Sequence, residues 1–170
     1  VGSEVVDLPV SDINGEETSL HRLLDEQTVL LVYGEDCKAC TKLMNEAVNS
    51  SKFKKAAEDG QLRLLSLYIG EDGEEFAAKS AVLKDWANFI DARQLVRYEN
   101  AFDSRLVPSL YLISDKKMVK VKGTLSVSEI EKALDAPVLY SARIVLNEGE
   151  QIWGGRIADG KFMPYEDGFK

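Results

Sequence analysis

The residues best suited to chemistry are Cys37 and Cys40, the only cysteines in a chain of 170 residues. They follow an apolar run, Val29-Leu30-Leu31-Val32-Tyr33, so the pair falls where a buried strand should give way to a helix. A Cys-x-x-Cys in that position has the arrangement of a redox dithiol. The first sulfur would lie at the helix N-terminus, where unpaired N–H groups and the helix dipole favour a thiolate. The second would lie within reach to resolve a mixed disulfide formed by the first.

Two plainer uses of the pair compete. Half of a tetrahedral zinc site is one, but His21 is the sole further soft ligand in the chain, so no metal is expected. His21 itself fits a surface or capping role better than that of a ligand or base. An inert local disulfide, or buried thiols without a role, is the other.

The elements around the pair follow from pattern. Asp12-Ile13-Asn14-Gly15 carries an Asn-Gly turn signal between Val10 and Thr18, which predicts an N-terminal hairpin. Ser19 is placed to cap a short helix containing His21, Leu23 and Leu24. Thr28 to Tyr33 and Leu62 to Ile69 are apolar enough to be strands buried on both faces. Between them Cys40, Leu43 or Met44, Ala47 and Val48 recur at helical spacing, and a second helix over Phe53 to Glu58 ends near Gly60. Strand, helix, strand is a βαβ unit with a right-handed crossover. A further helix is expected from Glu74 to about Leu83, with Trp86 and Phe89 as core of an insert, while the periodicity from Asp85 to Asn100 is mixed. Pro108 opens a strand over Ser109 to Ile113, and Asp115-Lys116-Lys117 turns into Met118 to Val121. Ser126-Val127-Ser128-Glu129 is a capping box for a last helix, with Val127, Ile130 and Leu134 inward.

Composition bounds the function classes. A net charge of −8 offers nothing to neutralise phosphates, which excludes nucleic acid as a partner. No apolar stretch approaches the length of a membrane span. The opening Val1-Gly2-Ser3 reads as a trimmed form whose targeting segment is no longer in view, so a membrane tether through such a segment is compatible with the chain. Residues 138–170 differ from the rest. They hold five of the 14 aromatics, with Glu148-Gly149 and Asp159-Gly160 as turns, and read as an appended β-meander of three short strands. The expected division is a domain over 1–137 and an extension over 138–170. The apolar side of the extension (Tyr140, Ile144, Trp153 and Phe162) should cover the domain's core in preference to a dimer contact.

The order β-α-β, then β-β-α after a proline, with Cys37-Lys38-Ala39-Cys40 and Val107-Pro108 as its specific parts, resembles the thioredoxin-like superfamily. The N-terminal hairpin and the long interval between Cys37 and Pro108 narrow the resemblance to thiol–disulfide oxidoreductases of the TlpA/ResA type, over roughly Val5 to Asp135. The resemblance implies an α/β thioredoxin-like fold with an N-terminal β-hairpin, a helical insert before a cis-proline and a C-terminal β extension. It implies Cys37 as attacking thiolate, Cys40 as resolving thiol, and Pro108 facing them, with Val107 offering backbone groups to an extended substrate. It also implies a bacterial envelope location, with a disulfide-containing protein substrate and a redox partner. No cofactor is called for, because the dithiol carries the two electrons.

The chain departs from that pattern beside the dithiol. The usual Trp before the first cysteine is Asp36, with Glu35 next to it. Those carboxylates oppose ionisation of Cys37 while the helix terminus, Lys38 and Lys42 promote it, so Glu35, Asp36 and Lys38 are candidate pKa-tuning residues. The two positions where relatives carry a proton-accepting acid are Leu31 and Leu43. Glu35 or Asp36 acting through water is the remaining acceptor. The expected function is thiol–disulfide exchange, with reduction of protein or small disulfides as the favoured direction. The alternative is a non-catalytic binding module of the same fold whose dithiol is vestigial.

Overall fold

The computed structural model describes residues 2–35, 37–96 and 107–134, and the backbone of 151–152, 155–158 and 161–164. Strands β1 (Pro9–Ser11) and β2 (Glu17–Ser19) form the expected hairpin, with Val10 opposite Thr18 and Gly15 at φ 81° in the turn. Three parallel strands follow, β3 (Thr28–Tyr33), β4 (Arg63–Tyr68) and β5 (Ala87–Ile90), joined by helices α1 (Lys38–Val48), α2 (Ser51–Glu58) and α3 (Gly73–Val82). Antiparallel β6 (Ser109–Ile113) and β7 (Val119–Thr124) complete a seven-stranded sheet in the order β2-β1-β5-β4-β3-β6-β7, and α4 (Val127–Ala133) packs on it.

Alternation along the central strands assigns the two faces. Val29, Leu31 and Tyr33 face one side and Leu30 and Val32 the other, all of them buried, because helices cover one face and the N-terminal segment the other. From β3 to β4 to β5 the chain steps across the sheet in one direction. Two right-handed crossovers then place α1, α2 and α3 on the same face, where Met44, Phe53, Phe76 and Leu83 share one core cluster with Ile130 and Leu134 of the last helical turn and its end. The second face is closed by Leu8, Val10, Leu20, Leu24 and Val96.

The stretch of mixed periodicity resolves into strand β5. Ile90 pairs with Ser11, so the insert adds a strand as well as a helix and carries the N-terminal hairpin at its edge. Trp86 is buried with the α3 side of the core, whereas Phe89 packs on the opposite face. Asp91, also buried, ends the strand by accepting N–H bonds from Leu95 and Val96 at 3.0 and 2.8 Å.

Two caps differ from expectation. Leu20–Leu23 is a single 3-10 turn, and Ser19 does not cap it; its hydroxyl donates to Asp7 instead, and Asp7 accepts the His21 N–H at 2.9 Å. A distant carboxylate has displaced the local hydroxyl because it accepts more strongly. His21 Nε2 meets the Val5 carbonyl at 2.5 Å, a structural role. At α4, Ser126 accepts the Glu129 N–H as the capping box requires, but Glu129 takes the Thr124 hydroxyl, which in turn accepts the Ser126 N–H. Strand β7 runs three residues past Val121.

Burial raises the Asp7 carboxyl, but the His21 N–H, the Ser19 hydroxyl and the His21 ring hold it below the ordinary value of 3.8. A carboxylate lowered in the folded state contributes stability that is complete above its unfolded value and is lost as pH falls through the folded one. The stability gap between the protein and Asp7→Ala should therefore be full at pH 7 and shrink below about pH 4 in urea titrations. A gap unchanged down to acid pH would contradict the assignment.

Beyond α4, β8 (Gln151–Ile152), β9 (Gly155–Ala158) and β10 (Lys161–Pro164) form a separate antiparallel sheet in the order β10-β9-β8. Three short strands are present in the stretch read as a meander, and the expected turn at Glu148-Gly149 lies outside the described residues. The side chains proposed for its apolar side also lie outside them.

Candidate redox site

The C-terminal ends of parallel β3 and β4 bring Tyr33 and Tyr68 into register, and the chain leaves β3 through Gly34 into the turn that carries the cysteines. Cys37 is the N-cap of α1. Its backbone is extended, and its sulfur accepts the Cys40 N–H at 3.1 Å, taking one of the donors that the first helical turn cannot satisfy internally. Cys37 and Cys40 are joined by a disulfide with Cα atoms 5.1 Å apart. Cys40 is 1% exposed among Leu31, Leu43 and Met44, whereas Cys37 is half-buried at the edge of that cluster. One face of α1 (Cys40, Leu43, Met44, Ala47) turns inward, as its spacing predicts.

The proline reaches this place through strand pairing. β6 runs antiparallel to β3 with Ser109 opposite Val32, so the two residues before it continue toward Tyr33 and Gly34. The Val107-Pro108 bond is cis, Pro108 is buried, and half-buried Val107 packs on the clusters of both faces. A Cβ built on Gly34 would lie 3.5 Å from Val107 Cγ1, which places Val107 against the turn that leads to Cys37. β7 runs parallel to β3, so its C-terminal end points to the same rim. Leu125 follows it there, 62% exposed.

Sequence reasoning missed Leu125. A signal existed, because a hydrophobic residue just before an N-cap ordinarily packs on the fourth helical residue, here Ile130. Ile130 is fully buried by the core, and Leu125 is left in solvent.

The pKa-tuning candidates separate. Lys38 is exposed in the first turn of α1, and Asp36 lies outside the described residues. Glu35 accepts hydrogen bonds from the Glu71 and Asp72 N–H groups. Leu31 and Leu43 are buried, so neither position holds an acid beside Cys40. The tyrosines do not replace one. Burial, reinforced by Tyr68 and the Glu75 carboxylate, pushes the Tyr33 phenol far above its ordinary value, and burial followed by Glu75 does the same to Tyr68. Both stay protonated at neutral pH. They pack instead, with ring centroids 5.1 Å apart and Tyr68 stacked on Phe76.

The fold is shared with solved structures. A thioredoxin-like protein from Bacteroides caccae superposes with a TM-score of 0.73 at 22% identity over 79% of this chain, which spans about half (48%) of that protein. A conserved protein of unknown function from Bacteroides fragilis gives 0.70 at 29% identity, covering 78% of this chain and 97% of its own. The thioredoxin domain of a thiol–disulfide oxidoreductase from Bacteroides vulgatus gives 0.62 at 14% identity, covering 79% and 97%. No protein-family model matches the chain, and no curated protein matches it in sequence. The fold is the thioredoxin-like fold, as the order of elements around Cys37 and Pro108 implied.

Proposed function

We propose that this thioredoxin-fold chain is a thiol–disulfide oxidoreductase that reduces or exchanges disulfides in protein substrates. The observation that carries the reading is the unequal exposure of two joined sulfurs at a helix N-terminus: Cys37 within reach of solvent, Cys40 enclosed. In the reduced form the Cys37 thiolate attacks a substrate disulfide, one substrate sulfur leaves as a thiol, and a mixed disulfide forms on Cys37. Cys40 then loses its proton and attacks Cys37 Sγ. The second substrate sulfur leaves, and the Cys37–Cys40 disulfide seen here remains, two electrons having passed to the substrate. A redox partner restores the dithiol by the reverse sequence. Val107 and Leu125 supply apolar surface on the same rim, and the Val107 backbone is the part that would pair with an extended substrate segment.

The compartment that suits this chemistry is the bacterial envelope, where substrate disulfides persist. The TlpA/ResA type fits this chain, since the hairpin β1–β2 and the α3–β5 insert stand where that resemblance expects them.

Reduction of insulin disulfides with dithiothreitol as electron donor tests the reading. The protein should accelerate precipitation of the insulin B chain well above the uncatalysed rate. Alkylation of the reduced protein with iodoacetamide, followed by mass mapping, should label Cys37 before Cys40 because only Cys37 is reachable. Faster labelling of Cys40 would reverse the roles. An inactive protein whose dithiol is labelled normally would favour the binding module with a vestigial pair.

A further inference from the structure

The bonds made by Glu35 have no place in the exchange steps. Glu35 stands two residues before Cys37, and its Oε1 accepts the N–H groups of Glu71 and Asp72, the latter at 3.0 Å. Asp72 is itself the N-cap of α3, its Oδ1 accepting from Glu74 and Glu75 at 3.0 and 3.3 Å. One carboxylate thus joins the segment entering α1 to the turn that opens the inserted helix. Gly70 makes room for it. A Cβ there would lie closer than 3.0 Å to both Glu35 Cγ and the Tyr68 phenol, so the Glu35 stem crosses the chain where there is no side chain. Further along the same two helices, Lys79 Nζ donates to Thr41 Oγ1 at 3.1 Å.

We propose that Glu35 is a positioning residue: its carboxylate, laid over Gly70, pins the segment that carries Cys37 to the 71–72 turn, so that α3 braces the start of the redox helix. What the site needs at this point is an acceptor oxygen. A negative charge or an exchangeable proton is not required. This reassigns Glu35 from tuning the thiolate or taking a proton to holding the backbone. Its effect on rate rests on the exchange function proposed above; the tie itself does not.

The test uses the full chain in reduced form, with Glu35→Ala, Glu35→Gln and Gly70→Ala. Amide hydrogen exchange at Glu71 and Asp72 reads the tie, and the rate of reaction with glutathione disulfide reads its consequence. Glu35→Ala should speed exchange at both amides about tenfold and slow the thiol reaction severalfold. Glu35→Gln keeps an acceptor oxygen and should rescue both readouts to within about threefold of the parent protein. Gly70→Ala displaces the Glu35 stem and should follow Glu35→Ala at the amides. Because Glu35 is exposed, Glu35→Ala keeps its fold and remains decisive if Gly70→Ala fails to fold. The proposal is overturned if the two amides are unchanged in Glu35→Ala, or if Glu35→Gln reacts as slowly as Glu35→Ala. A parent protein inert toward insulin would defeat the exchange function while leaving the amide comparison intact.

Discussion

Cys37→Ser should lose disulfide reduction by about a thousandfold or more, because an alkyl hydroxyl at neutral pH is a far weaker nucleophile than a thiolate and no other thiol is accessible. Cys40→Ser should fail differently. Its Cys37 still attacks, but nothing resolves the adduct, so a mixed disulfide with the substrate should accumulate and appear as an added mass that dithiothreitol removes. The contrast follows from burial: Cys40, 1% exposed, reaches Cys37 but not a substrate. Insulin reduction and intact-mass spectrometry of the two variants read both outcomes. Equal residual activity in the two variants, with no adduct in Cys40→Ser, would remove the assigned order of events and leave the dithiol without a catalytic role.

Phe53→Ala should be the costly change in the scaffold. Helix α2 has eight residues, too short to persist alone, and Phe53 is the one side chain it buries fully. The ring sits in the helix-side cluster with Met44 and Ala47 of α1, Leu62 just before β4 and Leu64 within it. Its removal should cost about 3–5 kcal/mol, a large part of a stability of about 5–15 kcal/mol. The midpoint of thermal unfolding, followed by circular dichroism, should fall by about 10 °C or more. Lys54→Ala on the exposed side of the same helix should move it by no more than about a degree or two. The α2 N-cap would remain, since the Ser50 hydroxyl accepts the backbone N–H of residue 53, which alanine keeps, and donates to Glu131 at 2.8 Å. A Phe53→Ala protein that melts with the parent would mean that α2 is not anchored by this ring.

Glu35 joins these two results to the active end of the molecule. If an acceptor oxygen suffices there, the inserted helix does for the redox turn what Phe53 does for α2: it holds a short segment whose own bonds are too few.

The parts legible in the sequence were those set by short-range periodicity. The unbroken apolar runs of β3 and β4, the inward face Cys40-Leu43-Ala47, the Asn-Gly hairpin and the Ser126 cap each depend on neighbours within a turn or a strand. The Cys-x-x-Cys and the later proline carried the fold because they are separated by a βαβ order that few arrangements satisfy. Where a distant group competes with a near one, sequence alone did not decide. Asp7 took the cap from Ser19, Thr124 entered the capping box, and Glu35, an apparent solvated neighbour of the thiol, was taken up by amides 36 and 37 positions away. β5 was hidden for the same reason, since its pattern is set by pairing with β4 on one edge and the hairpin on the other. Tertiary structure decided these because a carboxylate, an edge strand or an exposed Leu125 has no internal period. Its role is fixed by whatever the fold brings beside it.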